Sequence, residues 1–167
     1  MKGQRYLSLK AKSMDVQQFI EHHVALIALA FAVGFVCFWC LVTWILGLAS
    51  GWSALSKPFR LVGPFDGISD GMQSGTMRWG VNYGNCLRLG ANGQGLYLAT
   101  LFLFRPGHPP LLIPWSEIRI TKKQHWLLGE CVTLTLGRES GIPLQIRGTT
   151  AELLRESAGS NWPVEET

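Results

Sequence analysis

Hydrophobic and polar positions follow two regimes along this chain, and the regimes meet near residue 50. From Val24 to Ala49 there are twenty-six residues with no Asp, Glu, Lys, Arg, His, Asn, Gln or Pro. A helix of that length rises roughly 39 Å at about 1.5 Å per residue, enough to cross the roughly 30 Å hydrocarbon core of a bilayer with some tilt. It also satisfies its own backbone hydrogen bonds in lipid. The stretch therefore predicts a transmembrane helix over 24–49. A cleaved signal peptide has an apolar region of roughly 7 to 15 residues after a short basic start. Here the apolar run is longer and begins only after residue 23, so a retained anchor is expected. A buried helix of a soluble protein does not fit, because the rest of the chain is too short to wrap it on all sides. Trp39 and Trp44 fall in its second half, and Trp52, just past its end, is expected among lipid headgroups.

Residues 1–23 form a basic flank and an interfacial extension. Ser13 can cap a helix there, Asp15 suits its positive end, and Val16, Phe19 and Ile20 share one side. After the span, Trp52, Leu55 and Phe59 recur at helical spacing, which predicts a short amphipathic turn lying on the membrane and ended by Pro58. The glycines and prolines from Gly63 to Gly75 read as loop, so 50–74 is expected to be a linker.

Beyond it the period changes to two. Residues 76–82 predict a strand, Tyr83-Gly84-Asn85 a tight turn, and 86–89 a further extended segment. Asn92-Gly93 is a second turn signal. It precedes GLYLATLFLF, residues 95–104, whose two faces are both apolar. Either this is a central strand covered on both sides, or its end from Leu101 to Phe104 meets lipid or another protein. RPGHPP is a stiff loop, and LLIPWSEIRI predicts a strand, a turn at Pro114 to Glu117, and the start of another strand. Val132, Leu134 and Leu136 alternate with threonines, and Ile142, Leu144 and Ile146 repeat the pattern across a loop at Gly137 to Gly141. Thr149-Thr150-Ala151-Glu152 reads as a capping box that opens a helix to about Ser157, with Leu153 and Leu154 on its buried side. The expected architecture is α+β: one transmembrane helix, a small antiparallel β domain of six or seven strands with a closing helix over 75–158, and a tail over 159–167.

Composition adds limits. The 167 residues leave room for one small domain after the anchor. Four basic and two acidic residues precede the span, and eleven and nine follow it. Neither half is basic enough to argue for nucleic acid. The N-terminal flank carries Lys2, Arg5, Lys10 and Lys12 against Lys57 and Arg60 in the matching length after Ala49, which points to an N-inside orientation with the domain outside. Cys37 and Cys40 make a C-x-x-C within the span. No haem-type His follows it and no second Cys pair completes a zinc site, so both read as small lipid-compatible residues. Cys86 and Cys131 can form a disulfide if the domain is exported and stay free if it is cytosolic. His22 and His23 read as interfacial residues, since neighbours on a helix point about 100° apart.

Little in the sequence suggests catalysis. His108, with Arg105 near it and Glu117 following, is the one grouping in which a general acid or base is conceivable, against the commoner reading of His108 as a surface residue of a turn. No G-x-S-x-G, H-E-x-x-H or Gly-rich phosphate loop is present. Neither catalytic residues, nor a metal site, nor a cofactor are expected. Lys122, Lys123 and His125, close to Trp126, form the basic cluster of the domain, where anionic lipid or an acidic protein patch can dock. The candidate binding residues are thus Lys122, Lys123, His125, Trp126, Arg105 and His108.

GLYLATLFLFRPGHPPLLIPWSEI, residues 95–118, resembles the pleckstrin-homology superfold, and within it the GRAM-like branch and small bacterial single-pass membrane proteins built on it. The resemblance extends loosely over 74–157. It implies a PH-like barrel with a C-terminal helix, in a protein of the bacterial inner membrane. The basic pattern with which phosphoinositide-binding members hold phosphates would map to residues 78–88, where only Arg78 and Arg88 stand, and the closing helix lacks the Trp of typical members. The expected function is a membrane-anchored, non-catalytic binding module that recognises a protein or lipid partner at the bilayer surface. The alternative is an accessory subunit of a larger membrane assembly, its helix packing through Gly34, Gly47 and neighbouring alanines.

Overall fold

A computed structural model describes residues 2–125 and 129–166, with side chains described over 22–121 and 131–164. The chain divides into two compact units, Met1–Trp39 and Cys40–Thr167. The first is helical. Helix α1 runs over Lys2–Ala49, so no boundary occurs at Ser13, and Val16, Phe19 and Ile20 lie outside the described side chains. His22–Ala49 is 28 residues of helix long and apolar enough to cross a membrane.

The second unit opens with the last turns of α1 and with α2, Trp52–Phe59. Seven antiparallel strands follow: β1 Ile68–Thr76, β2 Asn82–Ala91, β3 Gly95–Thr100, β4 Leu111–Pro114, β5 Ile118–His125, β6 Gly129–Leu136 and β7 Ile142–Arg147. Helix α3, Gly148–Ala158, comes next, and β8, Glu165–Glu166, adds two parallel residues to the outer edge of β5. The sheet order β4-β3-β2-β1-β7-β6-β5-β8 curls into a nearly closed barrel, so the domain is α+β as its periodicity indicated.

Alternation builds the core. Leu87 and Leu89 of β2, Leu96 and Leu98 of β3, Leu111 and Ile113 of β4, Leu134 and Leu136 of β6, and Ile142 and Leu144 of β7 all point inward and are buried. β3 is covered on its other face too, because Phe65 stacks on Tyr97 with ring centroids 4.3 Å apart. That contact accounts for a strand apolar on both sides. β3 stops at Thr100, however, and Leu101–Phe104 does not continue it. Residues Phe102–Phe104 form a tight 3₁₀ turn that leaves Phe102 80% exposed.

Several expectations change here. The region read as linker contains β1, and 76–82 is mainly the turn between β1 and β2, Arg78–Gly80. Tyr83 is a strand residue pointing inward, not part of a turn. Local composition misled because β1, ISDGMQSGT, is polar and glycine-rich; its pairing with β2 across nine residues makes it a strand. Gly75 has a packing reason: a Cβ there would come within 3.0 Å of both Leu144 and Leu87, across the closest approach of β1 to the core. Trp52 and Leu55 do not lie on the membrane but are fully buried in the domain core. In α3 the capping box is not formed: the helix already starts at Gly148, after Arg147, without a side-chain cap. Its buried side is Thr150, Ala151, Leu154 and Ala158, which leaves Leu153 52% exposed.

Candidate functional site

Two features distinguish the ends of the barrel. The first is a buried polar cluster where α1 enters the domain. α1 ends at Ala49, and Gly51, with φ of +87°, turns the chain at once into α2. Ser50 and Trp52 are thereby driven inward, and Tyr83 from β2 and His108 from the loop before β4 meet them. All four are buried.

The hydrogen bonds fix the direction of this chain. His108 Nδ1 lies 3.1 Å from the Pro106 carbonyl oxygen, which can only accept, so the proton sits on Nδ1 and Nε2 is the acceptor. Tyr83 Oη, 2.7 Å away, then donates to Nε2. Ser50 Oγ lies 2.8 Å from Tyr83 Oη and 3.4 Å from the Gly47 carbonyl oxygen, and it accepts the Trp52 backbone N–H at 3.3 Å. Trp52 Nε1 donates to the Pro109 carbonyl at 2.9 Å, with its ring edge-on to that of His108. Every polar group in the cluster is satisfied, as burial demands. Burial pushes the Tyr83 phenol up to about 12, with the Ser50 hydrogen bond opposing it in part. Burial also holds the His108 imidazole below its ordinary value, against the upward pull of the Pro106 and Phe104 carbonyls.

Serine and histidine side by side suggest nucleophilic chemistry, but Tyr83 stands between them and His108 is 1% exposed. No substrate can reach these atoms. The arrangement clamps the end of α1 to the barrel. It corrects the reading of His108 as a surface residue. Arg105, three positions earlier, is exposed, and Glu117 accepts the Arg138 backbone N–H at 2.9 Å in a different turn, so Arg105, His108 and Glu117 do not share a site.

The same clamp uses Gly47. The loop carrying His108 presses its backbone against α1 there, so Gly47 is occupied within the domain and is not a surface for another span. A Cβ added at Gly34 would meet nothing within 4 Å, and that side of the helix stays open.

The second feature lies at the far end of the β1–β2 ladder. β1 pairs with β7 only at Gly75 and Thr76, so the edge of Ile68–Gln73 has no strand partner on that side. Bulges flank Gln73, and Met72 has φ of +60°. α3 crosses the gap, leaving a groove of about 350 Å³ between β1 and the helix. Thr150 Oγ1 donates to Gln73 Oε1 at 2.9 Å, and Gln73 Nε2 donates to Asp70 Oδ2 at 2.7 Å, bracing the floor. Ile68, Leu89, Leu153 and Leu154 supply apolar wall, and Ser69, Glu156 and Ser157 polar rim.

The predicted binding residues do not converge. β5 carries Lys122, Lys123 and His125 toward the barrel end where β7 runs into α3, with Lys123 opposite Cys131 and Cys131 opposite Arg147. Arg105 and His108 belong to the end entered by α1. The side chains of Lys122, Lys123 and His125, and Trp126 altogether, lie outside the described residues. Ser50, Tyr83 and the groove residues were not anticipated; Tyr83 and Ser50 are 33 positions apart and nothing local pairs them. Cys86 and Cys131 are both buried free thiols. Among the described residues, no group of three or more His, Cys, Asp or Glu side chains is placed to hold a metal ion. No known protein family, curated protein or solved structure matches this chain.

Proposed function

We propose that this chain is a single-pass protein of a bacterial inner membrane whose PH-like, GRAM-like β domain acts as a non-catalytic binding module, taking a protein partner in the groove between β1 and α3. The observation that carries the reading is the joint at Ser50. The apolar helix does not end in a leash; Gly47 and Ser50 are built into the barrel, so the last turns of the tether belong to the binding domain. A tether of this kind raises the local concentration of the domain at the bilayer and reduces the contact area a partner must supply. The seven-strand order closed by a helix is what the pleckstrin-homology resemblance implies. The groove, mixed in polarity and bordered by an unpaired strand edge, suits an extended peptide segment. The excess of basic residues before the span supports the N-inside orientation.

Extraction in mild detergent at native expression, followed by size analysis, tests this reading. A protomer that carries a partner, and loses it when Ser157→Trp fills the groove, is the expected result. Recovery of wild type and variant at the same size removes the groove as the binding site. A second reading, an accessory subunit, draws on the open Gly34 face of the span. It predicts a stable heteromer that survives Ser157→Trp and dissociates with Gly34→Leu. Paired C-terminal reporters, one active only outside the cytosol and one only inside, check the orientation.

A further inference from the structure

β7 leaves the sheet before its neighbour does. It pairs with β1 at Gly75 and Thr76, through Ile146 and Gln145, and the chain then turns at Arg147 into α3. The edge of β1 that a longer β7 would cover, Ile68 to Gln73, carries no strand, while its opposite edge is laddered to β2 as far as Ala91. Backbone N–H and C=O groups along such an edge are a template for an added strand. The ladder is regular over Ile68, Ser69 and Asp70 and bulged beyond them, so the stretch that can template a strand is short.

The groove beside this edge has a chemistry of its own. Asp70 stands opposite Leu89, whose side chain points into the barrel, so Asp70 takes that face and joins the groove wall. Glu156 lines the helical side. Both carboxylates are exposed, and no Lys or Arg is among the lining residues. Asp70 accepts a hydrogen bond from the uncharged Gln73 amide at 2.7 Å. The nearby cations are turned elsewhere: Arg155 reaches Glu152 at 3.9 Å, and Arg88, alternating with the inward Leu87 and Leu89, faces away. Ile68 and Leu153 remain 79% and 52% exposed on the two walls.

We propose that the partner adds to β1 as a short strand, antiparallel to it and in line with β7, and that this strand reads Lys or Arg, any residue, then a large apolar residue. The inference rests on the reading of the groove as the binding site. Ile68 and Asp70 are two positions apart on one face, so the partner residues opposite them are also two apart and also share a face. The cation enters between Asp70 and Glu156, where two like charges are relieved by an opposite one. The apolar side chain covers Ile68 and Leu153. Because the strand is antiparallel, the residue opposite Asp70 comes first, which fixes the order of the motif. A free cation would answer the carboxylates alone; an extended basic segment also answers the open edge and the exposed apolar walls.

The probe is a library of random peptides displayed on phage and selected on the full chain in phosphatidylcholine nanodiscs. The expected result is enrichment of the basic-x-apolar order. An enriched peptide, synthesised and labelled, is expected to bind the double variant Asp70→Asn with Glu156→Gln about tenfold more weakly, and to bind wild type less well at high salt. Asn keeps an acceptor for Gln73 and both positions are exposed, so thermal unfolding of the variant should match wild type. Methylating one alternate set of the peptide's backbone nitrogens should abolish binding, and methylating the other set should not. Enrichment of acidic or purely apolar sequences, no enrichment, or unchanged affinity for the double variant overturns the charge match. Equal tolerance of both methylation patterns overturns the added strand. A dimer of the full chain that Ser157→Trp splits gives the groove to a second copy and also overturns the proposal. Use of the groove and identity of its occupant are read separately: a native partner lost with Ser157→Trp yet retained by the double variant leaves the groove as the binding site and removes the basic segment.

Discussion

A Cβ placed on Gly47 would lie 2.7 Å from the carbonyl oxygen of Gly107, and one placed on Gly107 would lie 2.8 Å from Trp44 Cα. Two glycines thus let a helix and a loop meet backbone to backbone, with no flexible side chain to yield. Gly47→Ala is expected to destabilise the β domain by about 1–3 kcal/mol, the usual cost of forcing volume into a packed contact. Gly34→Ala, in open space, is expected to leave it unchanged. Thermal unfolding of the full chain in detergent, followed by tryptophan fluorescence, compares the two.

Tyr83→Phe keeps the ring and removes the hydroxyl that links Ser50 to His108. Two buried polar atoms then lose a partner, which costs about 1–3 kcal/mol. The double variant Tyr83→Phe with Ser50→Ala is expected to be less destabilised than the sum of the single variants, because each single variant already removes the Ser50–Tyr83 hydrogen bond. Denaturant unfolding of the four proteins gives the coupling.

The stability of the domain is expected to fall in acid. Burial holds His108 below its ordinary value of 6.5, so the unfolded chain binds this proton more readily than the folded one. By linkage, the contribution is complete above pH 6.5 and is lost as pH falls through that value toward the lowered folded one. In His108→Asn this part of the pH dependence is expected to vanish. Unfolding midpoints at a series of pH values between neutral and mildly acidic provide the check.

Neighbouring leucines on α3 should respond in opposite ways. Leu154 is 4% exposed and part of the core, whereas Leu153 is on the groove wall and half exposed. Leu154→Ala is expected to cost about 2–5 kcal/mol as a buried cavity mutation. Leu153→Ala should change stability by no more than about 0.5 kcal/mol while weakening partner capture. Equal losses of stability for both would contradict the placement of α3.

Trp79→Asn puts a residue that tolerates the left-handed region into the β1–β2 turn, and should raise the stability of the domain by about 1 kcal/mol. Thermal unfolding of the full chain in detergent compares the variant with the wild type.

Much of the architecture could be read from neighbouring residues. The run Val24–Ala49 specifies a long apolar helix because length and absence of charge are local properties. The strands 132–136 and 142–146 declare themselves by alternation, whereas the closing helix was legible only through a Thr149–Glu152 capping pattern that the fold does not use. β1 did not declare itself, since Ser, Asp, Gly and Gln carry no alternating signal and the strand exists through its ladder to β2.

The joint at Ser50 and the groove at Gln73 belong to a different level of information. Ser50, Tyr83 and His108 lie on three separate elements, and Gln73 meets Thr150 across 77 positions. A residue's type and near neighbours set its propensity and which face it offers, but whether a tryptophan such as Trp52 goes to lipid or into the core depends on what the folded chain brings against it. Here Tyr83 and Pro109 provide a ring contact and a carbonyl, and burial wins over the headgroup layer. Trp79 found no such partners and remains outside. Closure of the barrel separates these two indoles, because it alone determines which distant segments share an interior.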